Sequence, residues 1–70
     1  MELEWIAVES KRITHYAYDA QTSTIYVIFT DGVQWSYFEC GPEVWEQFRL
    51  APSPGGFIRE VLDQHPHGPA

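Results

Sequence analysis

From Arg12 to Phe38 apolar and polar positions alternate with the two-residue period of β-strands, and beyond Pro42 the period lengthens to that of a helix. Three runs carry the first pattern: RITHYAY at 12–18, TIYVIFT at 24–30 and VQWSYF at 33–38. A looser alternation at 4–9, EWIAVE, predicts a short leading strand. The polar connector Asp19–Ser23 has hairpin length, and Asp31-Gly32 marks a second turn. In the first run, alternation sets Thr14, Tyr16 and Tyr18 on one side and Ile13, His15 and Ala17 on the other.

Pairing arithmetic selects the length of the second turn. Residues directly opposite in an antiparallel pair share a face, and a one-residue slip flips every side chain. A two-residue Asp-Gly loop sets Phe29 against Gln34 and Val27 against Ser36. A three-residue loop, Thr30-Asp31-Gly32, instead pairs Phe29 with Val33, Val27 with Trp35 and Ile25 with Tyr37, all apolar or aromatic. The second register is preferred, and it requires Gly32 in the left-handed region.

Gly41-Pro42-Glu43 starts a helix, with proline at the first helical position and an acid in the first turn. Val44, Trp45, Phe48 and Ala51 follow at helical spacing until Pro52 ends it. Ser53 then serves as an N-cap and Pro54 opens a second helix carrying Phe57, Ile58, Val61 and Leu62. Strands followed by helices predict an α+β fold: an antiparallel meander of three to four strands with two short C-terminal helices packed on one face. The covered face holds Ile25, Val27, Phe29, Val33, Trp35 and Tyr37. Residues 1–64 are expected to form one domain, and 65–70, HPHGPA, a flexible tail.

Composition sharpens this picture at one point. The chain has 70 residues, and 16% of them are aromatic. That is more ring area than so small a core needs, and each ring buries about 150–250 Å². The sheet face away from the helices holds Tyr26, Ile28 and Phe38, and Tyr16 and Tyr18 are candidates to join them. No helix remains in the sequence to cover that face. A contiguous apolar patch of this kind marks an interface, so Tyr16, Tyr18, Tyr26, Ile28 and Phe38 form the candidate interaction face. The expected function is a non-catalytic module that binds a protein partner or self-associates. Four Lys and Arg against ten Asp and Glu give a net charge of −6, which disfavours nucleic acid as a partner. The acidic start, MELEWIAVES, lacks the basic residues of a signal peptide, and no apolar run is long enough for a membrane span. The expected location is the cytoplasm, away from membranes.

The remaining candidates for chemistry are sparse. Cys40 is the only cysteine, which excludes an internal disulfide, and it precedes a helix start. His15, His65 and His67 form no catalytic signature with it. His65 and His67, with Asp63, lack the spacing of a zinc site, so no metal and no cofactor are expected. Glu43 and Glu46 share a helix face and read as solvated acids. Ser53, Gly55 and Gly56 at a helix start, with Arg59 one turn on, have the parts of an anion or nucleotide site. The same residues also make a helix–helix corner, where proline and glycine are needed to turn. With no constellation of acid, base and nucleophile, no enzymatic activity is expected.

The ordered set Val8, Ser10, Ile13, Tyr18-Asp19, Ile25-x-Val27-x-Phe29, Asp31-Gly32, Trp35-x-Tyr37, Pro42, Val44-Trp45, Phe48, Ala51-x-Ser53-x-Gly55 and Phe57-Ile58 resembles the KTSC domain family. The family takes its name from a short domain at the C-terminus of some lysyl-tRNA synthetases and also occurs as small bacterial and phage proteins. The resemblance implies a small α+β domain and supplies no catalytic residues to carry over. The synthetase connection adds an alternative function, an RNA- or tRNA-associated accessory domain. Two positions depart from the family pattern: Trp35 stands where Tyr is usual, and Arg59 where Asn is frequent.

Overall fold

A computed structural model describes residues 3–70; Met1 and Glu2, which the expected domain includes, lie outside the described residues. Five strands form one antiparallel sheet in chain order: β1 (Ile6–Ala7), β2 (Ile13–Asp19), β3 (Thr24–Phe29), β4 (Gln34–Tyr37) and β5 (His67–Pro69). Between β4 and β5 come α1 (Pro42–Leu50), α2 (Pro54–Glu60) and a 3₁₀ turn at Leu62–Gln64. The fold is α+β, with more strands than the three to four expected.

The β3–β4 register is the one the apolar pairs select. Ile25 faces Tyr37 and Val27 faces Trp35. The N–H of Phe29 donates to the Val33 carbonyl at 2.9 Å, and the N–H of Gly32 returns to the Phe29 carbonyl at 2.9 Å. Gly32 has φ +91°, as a three-residue loop closed by a left-handed glycine requires. Nothing lies within 4 Å of the place a Cβ would take there, so a substitution at this site tests backbone strain alone. Gly32→Val is expected to lower stability by about 1–3 kcal/mol, and Gly32→Asn by less, since asparagine tolerates this region. Denaturant midpoints measure both, and equal midpoints for glycine and valine would contradict the loop geometry.

Both helices begin at proline. Pro42 opens α1 behind Gly41, and Pro54 opens α2 behind Ser53, whose side chain accepts the N–H of Gly56 at 3.2 Å. The N-caps and helix starts therefore lie where the sequence puts them. The core is a single cluster between the sheet and the helices: Ile13, Ile25, Val27, Tyr37, Cys40, Phe48, Ile58 and Leu62. Val33, expected in it, is exposed, because it sits at the hairpin end beyond the reach of the helices.

Two expectations are corrected. Residues 65–70 are not a loose tail: Pro66 accepts the N–H of Phe38 at 2.7 Å and the chain runs on as β5 beside β4. Strand β2, for its part, does not alternate simply. Ile13 pairs with Phe29 and His15 with Ile28, so Thr14 is an extra residue, a bulge. The bulge moves Ile13 to the same side as Tyr16 and Tyr18, which pair with Val27 and Ile25 on the helix-covered face.

Candidate functional site

The face of the sheet away from the helices is built by pairing. Ala17 lies opposite Tyr26, Tyr26 opposite Ser36, and Ser36 opposite Gly68, so these four form a row across four strands. Ala17 and Ser36 are buried although no helix lies over them. Large neighbours on the same face therefore shield these small residues, and Tyr26 stands between the two. Its own exposure is intermediate, as is that of Ile28. Phe38 continues the alternation beyond Ser36 and is 41% exposed. The strands contribute no Lys or Arg to this face. Their one acid, Asp19, accepts from the N–H of Gln21 at 3.0 Å and from the Thr22 hydroxyl at 2.9 Å.

Tyr16 and Tyr18 do not belong to this surface. Their pairing with Val27 and Ile25 puts them on the helix side, where Tyr16 meets Trp45 and Phe48 edge-on, each at 5.1 Å between centroids. Tyr18 stacks on Trp45 at 5.2 Å with planes 8° apart, and its hydroxyl donates to the Cys40 carbonyl at 2.7 Å. The candidate face thus contracts to Tyr26, Ile28 and Phe38. The displaced tyrosines instead tie β2 to α1.

The corner at Ser53–Gly56 is a packing joint. Ser53 Oγ already accepts from Gly56, and a Cβ on Gly55 would sit 3.2 Å from the Arg12 Cβ. The Arg12 stem thus lies close against the Gly55 backbone, and a side chain at this position would press on it. Arg59 does not line this cleft, because it projects from the last turn of α2. The cations that do reach the corner are Lys11 and Arg12, across a shallow cleft of about 300 Å³ between residues 9–12 and 52–55. The Arg12 guanidinium lies 5.7 Å over the Phe29 ring.

One pairing has no sequence signal, since 25 residues separate its members. His65 Nδ1 lies 3.6 Å from Cys40 Sγ and 3.1 Å from the Glu39 carbonyl. A carbonyl only accepts, so Nδ1 carries the proton and donates; it is not placed to remove a proton from the thiol. Burial, and then the charge of Glu39, push the Cys40 thiol up to about 11. Both facts oppose a reactive thiolate. His67 turns to Trp35 and not to His65. Glu43 and Glu46 are exposed, and Glu46 pairs with Arg49 at 3.1 Å. No helix among the described residues is long and apolar enough to cross a membrane.

Comparison with known proteins places this geometry. No curated protein matches the sequence. A solved KTSC domain protein from Yersinia pestis superposes with a TM-score of 0.92 at 20% identity, over 99% of each chain. That likeness concerns the fold. The sequence pattern of the KTSC domain matches residues 9–65, from the turn before β2 to the histidine beside Cys40. The chain belongs to the KTSC domain family.

Proposed function

We propose that this domain is a non-catalytic interaction module that associates with a second copy of itself through the face bearing Tyr26, Ile28 and Phe38. The observation that carries the reading is the placement of both helices on one side of the sheet, which leaves Phe38 exposed and Tyr26 and Ile28 half-buried on the other. Charge supports the same partner. The net charge is −6, yet the only acid on the strands is Asp19, and its oxygens are already engaged. Two copies can approach strand to strand without opposing free strand carboxylates, and the exposed Glu39 beside Phe38 flanks the contact. An RNA-stacking surface needs cations beside its rings, and the strands have none.

Sedimentation across micromolar to millimolar concentration tests the proposal. The wild type is expected to shift from monomer toward dimer as concentration rises. Ile28→Asp and Phe38→Asp should each weaken association tenfold or more, since burying an unpaired charge in an interface is costly. Circular dichroism checks that these variants keep the fold. A wild-type chain that stays monomeric at millimolar concentration would overturn self-association.

A further inference from the structure

Strand β5 is short and poor in backbone donors. Pro66 and Pro69 have no N–H, and Gly68 contributes no side chain. Its side-chain attachments to β4 are therefore conspicuous. The Ser36 hydroxyl donates to the Gly68 carbonyl at 2.9 Å, and Trp35 Nε1–H donates to His67 Nδ1 at 3.0 Å. An indole N–H can only donate. His67 Nδ1 must therefore be unprotonated, with the ring neutral and its proton on Nε2. An imidazolium carries protons on both nitrogens and would set N–H against N–H.

We infer that His67 is a pH-sensitive latch: the neutral ring holds β5 on β4, and protonation releases the strand and bares the backbone edge of Gln34–Tyr37. Histidine changes charge between about pH 5 and 8. The rings of Trp35 and Tyr37 flank His67 at 5.9 and 5.5 Å. Tyr37 stays neutral in that range, because burial, and then Asp63, push its hydroxyl up to about 12. The charges that act on the neighbouring Tyr37 are Asp63 and, with the opposite sign, Arg12, and neither replaces His67 Nδ1 as the acceptor for the Trp35 indole. His65 is held by the Glu39 carbonyl, and no ion pair among the described residues includes His67.

Nuclear magnetic resonance on the full chain tests the latch. The probes are the Trp35 indole proton and the exchange protection of the Phe38 and Ala70 amides, which bond to Pro66 and Gln34. Between about pH 8 and 5, protection at both amides is expected to fall roughly fivefold, the worth of one hydrogen bond. The midpoint should coincide with the titration of the His67 ring itself. The Trp35 indole proton should lose its hydrogen-bonded shift over the same range. His67→Gln supplies a carbonyl acceptor that does not titrate, so its protection should stay level with pH. His65→Gln should keep the wild-type response. An indole signal and amide protection that do not change while His67 titrates would overturn the inference, as would an equal fall in His67→Gln.

Discussion

Replacing Phe48 by alanine should cost about 3–5 kcal/mol of stability, and it should leave much of the chain unfolded at room temperature. Phe48 is fully buried and meets three other rings: Tyr16 at 5.1 Å, Phe57 at 5.4 Å and Trp45 at 6.2 Å. Those rings belong to β2, α2 and α1, so a cavity at this point loosens the sheet and both helices together. A domain of this length has a total stability of roughly 4–10 kcal/mol, which makes the loss comparable with the whole. Phe48→Leu keeps most of the volume and should cost less. Leu50, two residues on in the same helix, is 74% exposed, and Leu50→Ala should change stability by about 0.5 kcal/mol or less. Urea midpoints decide the matter. A loss below about 1 kcal/mol for Phe48→Ala would mean that the three elements are not held through this ring.

The same cluster explains where the aromatic surplus goes. Composition alone suggests that several rings are left for a surface. In the structure Tyr16, Tyr18, Trp45, Phe48 and Phe57 consume much of that area in one continuous set of contacts. Tyr18 adds a hydroxyl bond to the Cys40 carbonyl, which fixes the chain just before α1. Tyr26 and Phe38 stay outside this set and stand with Ile28 on the open face. The proposed interface is accordingly smaller than the sequence suggests, and a weak, concentration-dependent dimer is the form it would take.

Local chemistry was legible and long-range geometry was not. The β3–β4 register follows from matching apolar residues across one turn, and Gly32 bears it out with its positive φ. The helix starts follow from Pro42, Ser53 and Pro54, because capping and proline geometry depend on neighbours a few residues away. The side that Ile13 takes hangs instead on one residue, Thr14, whose bulge is set by how β2 meets β3. Regular alternation in RITHYAY conceals it. Strand β5 was hidden for a related reason. Proline and glycine weaken an isolated strand, yet an edge strand tolerates prolines whose missing N–H is not needed. Of the anion-site residues, Ser53 and Gly55 meet at the corner, but the cations beside them, Lys11 and Arg12, come from the far end of the chain. The nearness of His65 to Cys40 and of His67 to Trp35 likewise depends on the C-terminal segment folding back along β4. Nothing within those stretches of sequence announces it.

Alkali should unfold this domain through two buried groups. Cys40 is raised from 9.0 to about 11, by burial first and by Glu39 second. Tyr37 is raised from 10.0 to about 12, by burial first and by Asp63 second. Both sit in the core cluster, and neither is more than 1% exposed. Their folded forms therefore hold protons that the unfolded chain releases. Below about pH 9 both groups are neutral in either state, and the stabilisation is fully present. As pH rises from 9 toward 12 the unfolded chain ionises first, and stability falls. A two-unit shift corresponds to at most roughly 2–3 kcal/mol for each group, which together rivals the stability of the whole domain. Denaturant unfolding at stepped alkaline pH should therefore show a steep decline. Cys40→Ala should flatten its first part, and Tyr37→Phe, which keeps the ring and removes the ionisable hydroxyl, its second. A double variant as alkali-sensitive as the wild type would place the cause elsewhere, because the slope counts the protons that folding retains.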